Sequence, residues 1–256
     1  MNIRKQIRSG FVSLIVISLL FINTSNVAAE GGKDGKSDEP GGACVVNFQG
    51  MTLSVGKNFK YVEADYTFDE NCHPVLVAIR RGDNLPEMDK PQQAVESSTT
   101  TTVEAEPFSL LGPFGDSITQ AAAVAATNTC HTETWETDVA YIRLVKVQNN
   151  TVWTWNGSAV TYWSVTATAQ QYFTWWYRSN GPNASGNWNP YPTKVRGKAD
   201  ASFYCNGGPF CAGGPMYQIT LQALTNIDKS GICSGNGVYS GTAVPGGHVL
   251  YRTWKD

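Results

Sequence analysis

Three kinds of side chain in this sequence have the types and spacing to do chemistry: a serine beside an acid, cysteines beside histidines, and clustered carboxylates. Ser117 follows Asp116. Its hydroxyl would be a nucleophile only if a histidine took its proton while a carboxylate oriented that histidine. The chain has three histidines, His73, His131 and His248, and two of them stand in the repeated dipeptides Cys72-His73 and Cys130-His131. Zinc sites converge two ligands from one turn as CxxC or HxxxH. Neither spacing occurs, so no metal or other cofactor is expected. The carboxylates Glu63 and Asp65, Asp69 and Glu70, and Glu133, Glu136 and Asp138 lack the Asp/Asn alternation around a central glycine that calcium loops use. A glycosidase needs two carboxylates facing each other across a cleft, which spacing alone does not reveal. These acids are expected on solvated strand faces, and no catalytic residue is assigned.

A binding role is better supported, by the stretch 151–177, TVWTWNGSAVTYWSVTATAQQYFTWWY. Asn156-Gly157 between two β-patterned runs signals a type I′ hairpin. A two-residue loop would pair Trp155 with Ser158, Trp153 with Val160 and Thr151 with Tyr162. One face then collects Trp153, Trp155, Tyr162, Tyr172 and Trp176 among hydroxyls. The other holds Trp163, Val165, Ala167 and Ala169 as core, continuing to Phe173, Trp175 and Tyr177. Flat rings beside short polar groups suit the apolar faces and polar edges of sugars, so Trp153, Trp155, Tyr162, Tyr172 and Trp176 are the candidate ligand-binding residues. A strand from 159 to 177 is too long to stay straight, so a bulge or bend is expected near Gln170 and Gln171. In the competing reading a second layer or a loop such as SNGPNASGNWNPYP lies over the mixed face and every aromatic serves packing.

The elements around these residues are set by export. Arg4, Lys5 and Arg8 precede the apolar run 11–22, and Val27 and Ala29 suit signal peptidase, so residues 1–29 read as a signal peptide. The product is expected to be secreted, without a stable membrane span. About 230 residues remain, enough for one large domain or two small ones. Residues 30–138 carry 18 acids against 7 Lys and Arg, and 139–256 carry 3 against 9. Lys194, Arg196 and Lys198 alternate and so share one strand face. An exported, net negative chain is not expected to bind nucleic acid.

Six cysteines in an exported chain imply disulfides. The Gly- and Pro-rich turn between Cys205 and Cys211 predicts that pair. Cys44 and Cys72 flank the first β-rich block, and Cys130 with Cys233 follows by elimination.

The expected organisation is mostly β, an antiparallel sandwich or barrel with one short helix and a long acidic linker. In order these are a disordered leader (30–43), a β-rich N-terminal part (44–81), a Pro/Thr/Glu linker (82–115), a helix capped by Asp116 (116–128) and an antiparallel β domain (129–256). Asn149-Asn150-Thr151, Asn156-Gly157-Ser158 and Asn183-Ala184-Ser185 are glycosylation sequons, and Arg81-Gly82-Asp83 matches the integrin-binding tripeptide.

Two resemblances are short. Phe114-Gly115-Asp116-Ser117-Ile118-Thr119 resembles the nucleophile block of GDSL-type hydrolases, but Pro245 stands where that family's late Asp-x-x-His would need its aspartate before His248. From residue 130 onward the chain resembles small secreted bacterial β-domains of unassigned function. Trp135, TVWTWNGSAVT, KADASFYC ending in Cys205, and Cys211 carry the likeness, which implies a fold and export but no activity. The functional expectation is a secreted, non-catalytic binding or cell-surface interaction module, with polysaccharide as ligand or partner. The alternative is a secreted hydrolase or membrane-active toxin whose site the residues do not identify.

Overall fold

The computed structural model describes residues 43–56, 59–83, 99–104, 126–156, 159–190, 193–206 and 217–256. These residues form thirteen strands and no helix: β1 (Cys44–Gln49), β2 (Leu53–Val55), β3 (Tyr61–Phe68), β4 (Pro74–Gly82), β5 (Thr99–Glu104), β6 (Ala126–Thr137), β7 (Arg143–Trp155), β8 (Val160–Gln171), β9 (Trp176–Trp188), β10 (Lys194–Cys205), β11 (Tyr217–Asp228), β12 (Cys233–Ala243) and β13 (His248–Lys255). One sheet runs β1-β12-β11-β10-β9, with β2 also on β12; the other runs β4-β3-β13-β6-β7-β8-β5. All pairings are antiparallel, and the two sheets form a sandwich with no closed barrel. Residues 1–42, 84–98 and 105–125, on which the expected signal peptide, leader and most of the expected linker and helix fall, lie outside the described residues.

Several expectations need correction. Residues 126–128, assigned to a helix, begin β6, where Ala126, Thr127 and Asn128 pair with Trp155, Thr154 and Trp153. Tertiary pairing overrides the alanine propensity there. The threonine run assigned to the linker is β5, pairing with β8 from Thr99↔Ala169 to Glu104↔Ser164. The N-terminal strands are not a separate part. β1 and β2 enter one sheet while β3 and β4 enter the other, within one compact unit. Most of SNGPNASGNWNPYP is a strand, β9, rather than a covering loop. Its Pro and Gly residues are tolerated because β9 is an edge strand.

The sheets fit by matching small residues to large ones. The Trp163 ring sits on Gly186, and the Tyr251 ring occupies the space over Gly50 and Gly237. Between two apolar clusters runs a polar belt. Thr151 Oγ1 donates to Asn149 Oδ1 (2.8 Å) and meets Thr225 Oγ1 at 2.6 Å, while Asn149 Nδ2 donates to the Ala223 carbonyl (3.0 Å). On one side of the belt lie Val147, Ala169, Ala199, Leu221, Tyr239 and Tyr251; on the other lie Trp153, Trp163, Val165, Val195 and Ile227. A disulfide joins the sheets in each region: Cys44–Cys72 beside the first cluster and Cys130–Cys233 within the second, both as expected. Cys205 is disulfide-bonded as well, and Cys211 lies outside the described residues.

Three hairpins share one turn. Asp69, Asp138 and Asp228 each accept, through Oδ1, the backbone N–H groups two and four residues on. The residue at the third following position has positive φ in each: Cys72 (60°), Tyr141 (60°) and Gly231 (75°). An aspartate that caps its own turn explains why these loops need no Pro or Asn-Gly signal.

Candidate functional site

The structure separates the five aromatic residues picked from the sequence. Asn156 and Ala159 close the β7–β8 turn through Asn156 N–H to Ala159 O (3.1 Å) and Ala159 N–H to Asn156 Oδ1 (3.0 Å). With a register shift between Thr154 and Trp155, Trp155 pairs with Val160, Thr154 with Tyr162 and Trp153 with Trp163. This register moves Trp153 from the mixed face to the core, where it is 0% exposed. Trp155 is half-buried against the same cluster, and Tyr162 and Tyr172 are half-buried. The bend at the glutamines is a full reversal: β8 ends at Gln171 and β9 starts in the opposite sheet at Trp176, which is 4% exposed. Tyr172 stacks on Trp135 at 5.6 Å. Trp153, Trp155, Tyr162, Tyr172 and Trp176 therefore share no open face. Trp163, Val165, Ala167 and Ala169 are buried, in the core role assigned to them.

An open aromatic surface exists on the other sheet. Tyr177, assigned to the core, is 42% exposed at the start of β9. It pairs with Tyr204 of β10, and their rings stack at 5.3 Å with 23° between planes. Strict alternation sends Val195, Ala199, Ala201 and Phe203 inward, and with them Ile219, Leu221 and Ala223 of β11, so the residues between them face out. Beside the tyrosines the outer face shows Gln218, then a row Asn180, Ser202, Thr220 and Ser240, then Asn183, Asp200 and Gln222. Ser202 and Thr220 share a 2.8 Å hydrogen bond, and Asn183 Nδ2 donates to Asp200 at 2.9 Å. Lys198, Arg196 and Lys194 follow along β10 on the same face, as their spacing implied, with Lys198 3.0 Å from Asp200. At this far end Asn189, Lys194, Asn226, Asp228 and Ser234 line a pocket of about 100 Å³. At 3.3 Å per residue, about 33 Å separates Tyr204 from Lys194. The result is a track of amides and hydroxyls with a stacked ring pair at one end and cations at the other.

The outer face of the seven-stranded sheet carries a different constellation, which corrects the expectation of solvated acids. Glu63, Asp65 and Glu133 are buried, at 4%, 0% and 6% exposure. Cross-strand register lines up Arg80, Glu63, Arg252 and Glu133 with alternating charge. Glu63 accepts from Arg80 (2.6 Å) and from Arg252 Nε (2.9 Å), while Lys146 donates to Glu133 (2.9 Å). Next to this row Asp65 Oδ1 lies 2.9 Å from His248 Nδ1, Tyr141 donates to Asp65 Oδ2 (3.2 Å), and the Tyr141 ring lies 4.0 Å from the imidazole. Carboxylate and histidine are held as in a hydrolase dyad, yet no hydroxyl or thiol hydrogen-bonds His248 among the described residues. Ser117 lies outside them.

The Cys-His dipeptides have other employment. Cys72 and Cys130 are in disulfides, so they offer no thiolate to a metal. His73 contacts Asp69 at 3.3 Å, and His131 contacts Asn150 (2.6 Å) and stacks on Trp254 (4.6 Å). Of the sequons, Asn149 is buried and hydrogen-bonded within the polar belt, whereas Asn183 is exposed. Among the described residues no helix is long and apolar enough to cross a membrane.

Alternation through β10 and β11 was sufficient to place the outer residues of those strands. What hid the tyrosine pair was β9, because its Gly, Pro and Asn residues read as loop and left Tyr204 without a neighbour. Comparisons with protein-family models, curated proteins and solved structures find no match.

Proposed function

We propose that the chain is an exported, non-catalytic binding module whose six-stranded sheet docks an extended polysaccharide on its outer face. The observation that carries this reading is the exposed Tyr177 ring stacked on half-buried Tyr204, beside a track of amide and hydroxyl side chains. Sugar rings present apolar faces to aromatic rings and hydroxyl edges to Asn, Gln, Ser and Thr, and an open sheet face accepts a polymer without a deep pocket. The sheet holds the track rigid, so little order has to be gained on binding.

Retention on insoluble polysaccharides, measured by depletion from solution over a panel that includes cellulose, chitin and peptidoglycan, tests it. Tyr177→Ala and Tyr204→Ala should each weaken retention about ten-fold, in line with the loss of one aromatic contact of about 1.4 kcal/mol. Melting temperature should change little in Tyr177→Ala, because Tyr177 is on the surface. Wild-type protein that passes through every polysaccharide, or variants that bind as well as wild type, would reject the reading.

A further inference from the structure

We propose that β4 is a dimerisation edge: two copies of this chain pair β4 against β4, antiparallel, and join their seven-stranded sheets. β4 ends its sheet, and its one substantial neighbour among the described strands is β3. It overhangs the sandwich, and its apolar residues stay in water: Val75 is 45% exposed, Leu76 43%, Val77 49% and Ile79 40%. Edge strands are normally blunted by charge, proline, shortness or a β-bulge, and of these devices β4 has a bulge at Val77 with the strand paired on both sides of it. β5 at the other end of the sheet is threonine-rich, and β9 contains Pro182. β4 has nine residues, with its proline at the first position. Its two arginines are turned to their own chain, Arg80 toward Glu63 and Asp65 and Arg81 over the Phe59 ring at 5.5 Å.

Charge along the strand selects the occupant and its direction. Arg80 and Arg81 stand at one end, and the turn before the other end carries Asp69 and Glu70. Antiparallel pairing of two copies lays each arginine end beside the other copy's acidic turn. Parallel pairing would stack arginine on arginine. The antiparallel arrangement is two-fold and isologous, so it closes at a dimer and does not grow into a fibre. A two-fold axis one residue from mid-strand, at Val77, brings Val77 of the two copies together. A register shift opposite Asp65 and Tyr66 frees Val77 from its partner strand β3, so it can be altered without disturbing β3 pairing.

Sedimentation velocity across a dilution series should show wild-type protein moving from monomer to dimer. V77K and V77E should each dimerise at least about ten-fold more weakly, since like charges then meet at the axis. An equimolar mixture of the two should recover a dimer, seen as the mixed mass in native mass spectrometry. Amide hydrogen exchange of wild-type β4 supplies a readout that needs no variant: its protection should rise with protein concentration. A wild-type monomer at every concentration, undiminished dimerisation of V77K, a mixture that stays monomeric, or β4 exchange independent of concentration would each overturn the proposal. Polysaccharide docking uses the other sheet, so either reading can fail without the other.

Discussion

The ring of Trp163 in β8 lies where a Cβ on Gly186 of β9 would have to be. The two residues belong to different sheets, so their contact sets the spacing of the sandwich at this end. A methyl group at 186 meets a large, buried ring that is also packed on by Trp188. Gly186→Ala should therefore destabilise the fold by about 1–3 kcal/mol through overpacking. Chemical denaturation of Gly186→Ala and of Gly186→Ala with Trp163→Leu checks it: the second change should recover part of the loss, a coupling that independent sites would not show.

Gly231 gives the contrasting case. A Cβ there meets nothing nearer than the Lys255 amine at 3.5 Å, but the residue has φ +75° at the positive-φ position of the Asp228 turn. Gly231→Ala should cost about 1 kcal/mol from backbone conformation alone. Asp228→Ala, which strips Ser230 and Ile232 N–H groups of their shared acceptor, should cost a similar amount. Equilibrium unfolding of the two variants measures both; a loss well above this at Gly231 would mean a steric clash that the space around it does not contain.

The same turn shows how far residues alone could be read. Alternation in KVRGKADASFYC and in the strand Tyr217–Asp228 declares which side chains face in, the pair Cys44–Cys72 follows from where the first β block begins and ends, and Cys130–Cys233 follows by elimination. The sheet partners do not. β1 joins β12 and β3 joins β13 across most of the chain, and nothing local in either segment encodes those pairings. The Asp138 turn was opaque because Tyr141 occupies the position where a glycine would have announced it. The face of Trp153 is misjudged because the wider turn alone moves the pairing by two residues and keeps the faces, whereas the one-residue register shift between Thr154 and Trp155 exchanges them. Glu63, Asp65 and Glu133 are buried, which their local sequence does not signal because burial of a charge depends on partners that lie on other strands.

The charge row predicts unequal arginines. Glu63 is buried and takes hydrogen bonds from both Arg80 and Arg252, but Arg252 is itself buried whereas the Arg80 side chain is 47% exposed. Removing a buried partner strands charge in a poor solvent, so Arg252→Met should cost about 3–5 kcal/mol. Arg80→Ala should cost about 1 kcal/mol, because water replaces an exposed partner. Pairing Arg252→Met with Glu63→Leu should recover much of the first loss, as the uncompensated charge goes with it. Thermal denaturation at neutral pH reads all three, and equal losses at Arg80 and Arg252 would contradict the burial argument.

Glu136 couples stability to pH. Its Oε2 is buried without a hydrogen-bond partner among the described residues, and desolvation pushes its carboxyl up to about 8, against the smaller opposing effect of the Tyr239 hydroxyl that donates to Oε1 at 3.3 Å. The folded chain thus holds this proton more tightly than the unfolded chain, whose carboxyl titrates near 4.5. A group with a raised folded pKa contributes fully below its unfolded value and loses that contribution as pH rises toward the folded one. Its share of stability should therefore decline between about pH 4.5 and pH 8 by a few kcal/mol and be constant above. Glu136→Gln keeps the shape and cannot ionise, so it should be more stable than wild type at pH 8 and lose the advantage near pH 4.5. Urea unfolding of both proteins across that range measures the difference directly; a wild type and a Glu136→Gln variant whose stabilities run parallel with pH would show that Glu136 is not neutral in the fold.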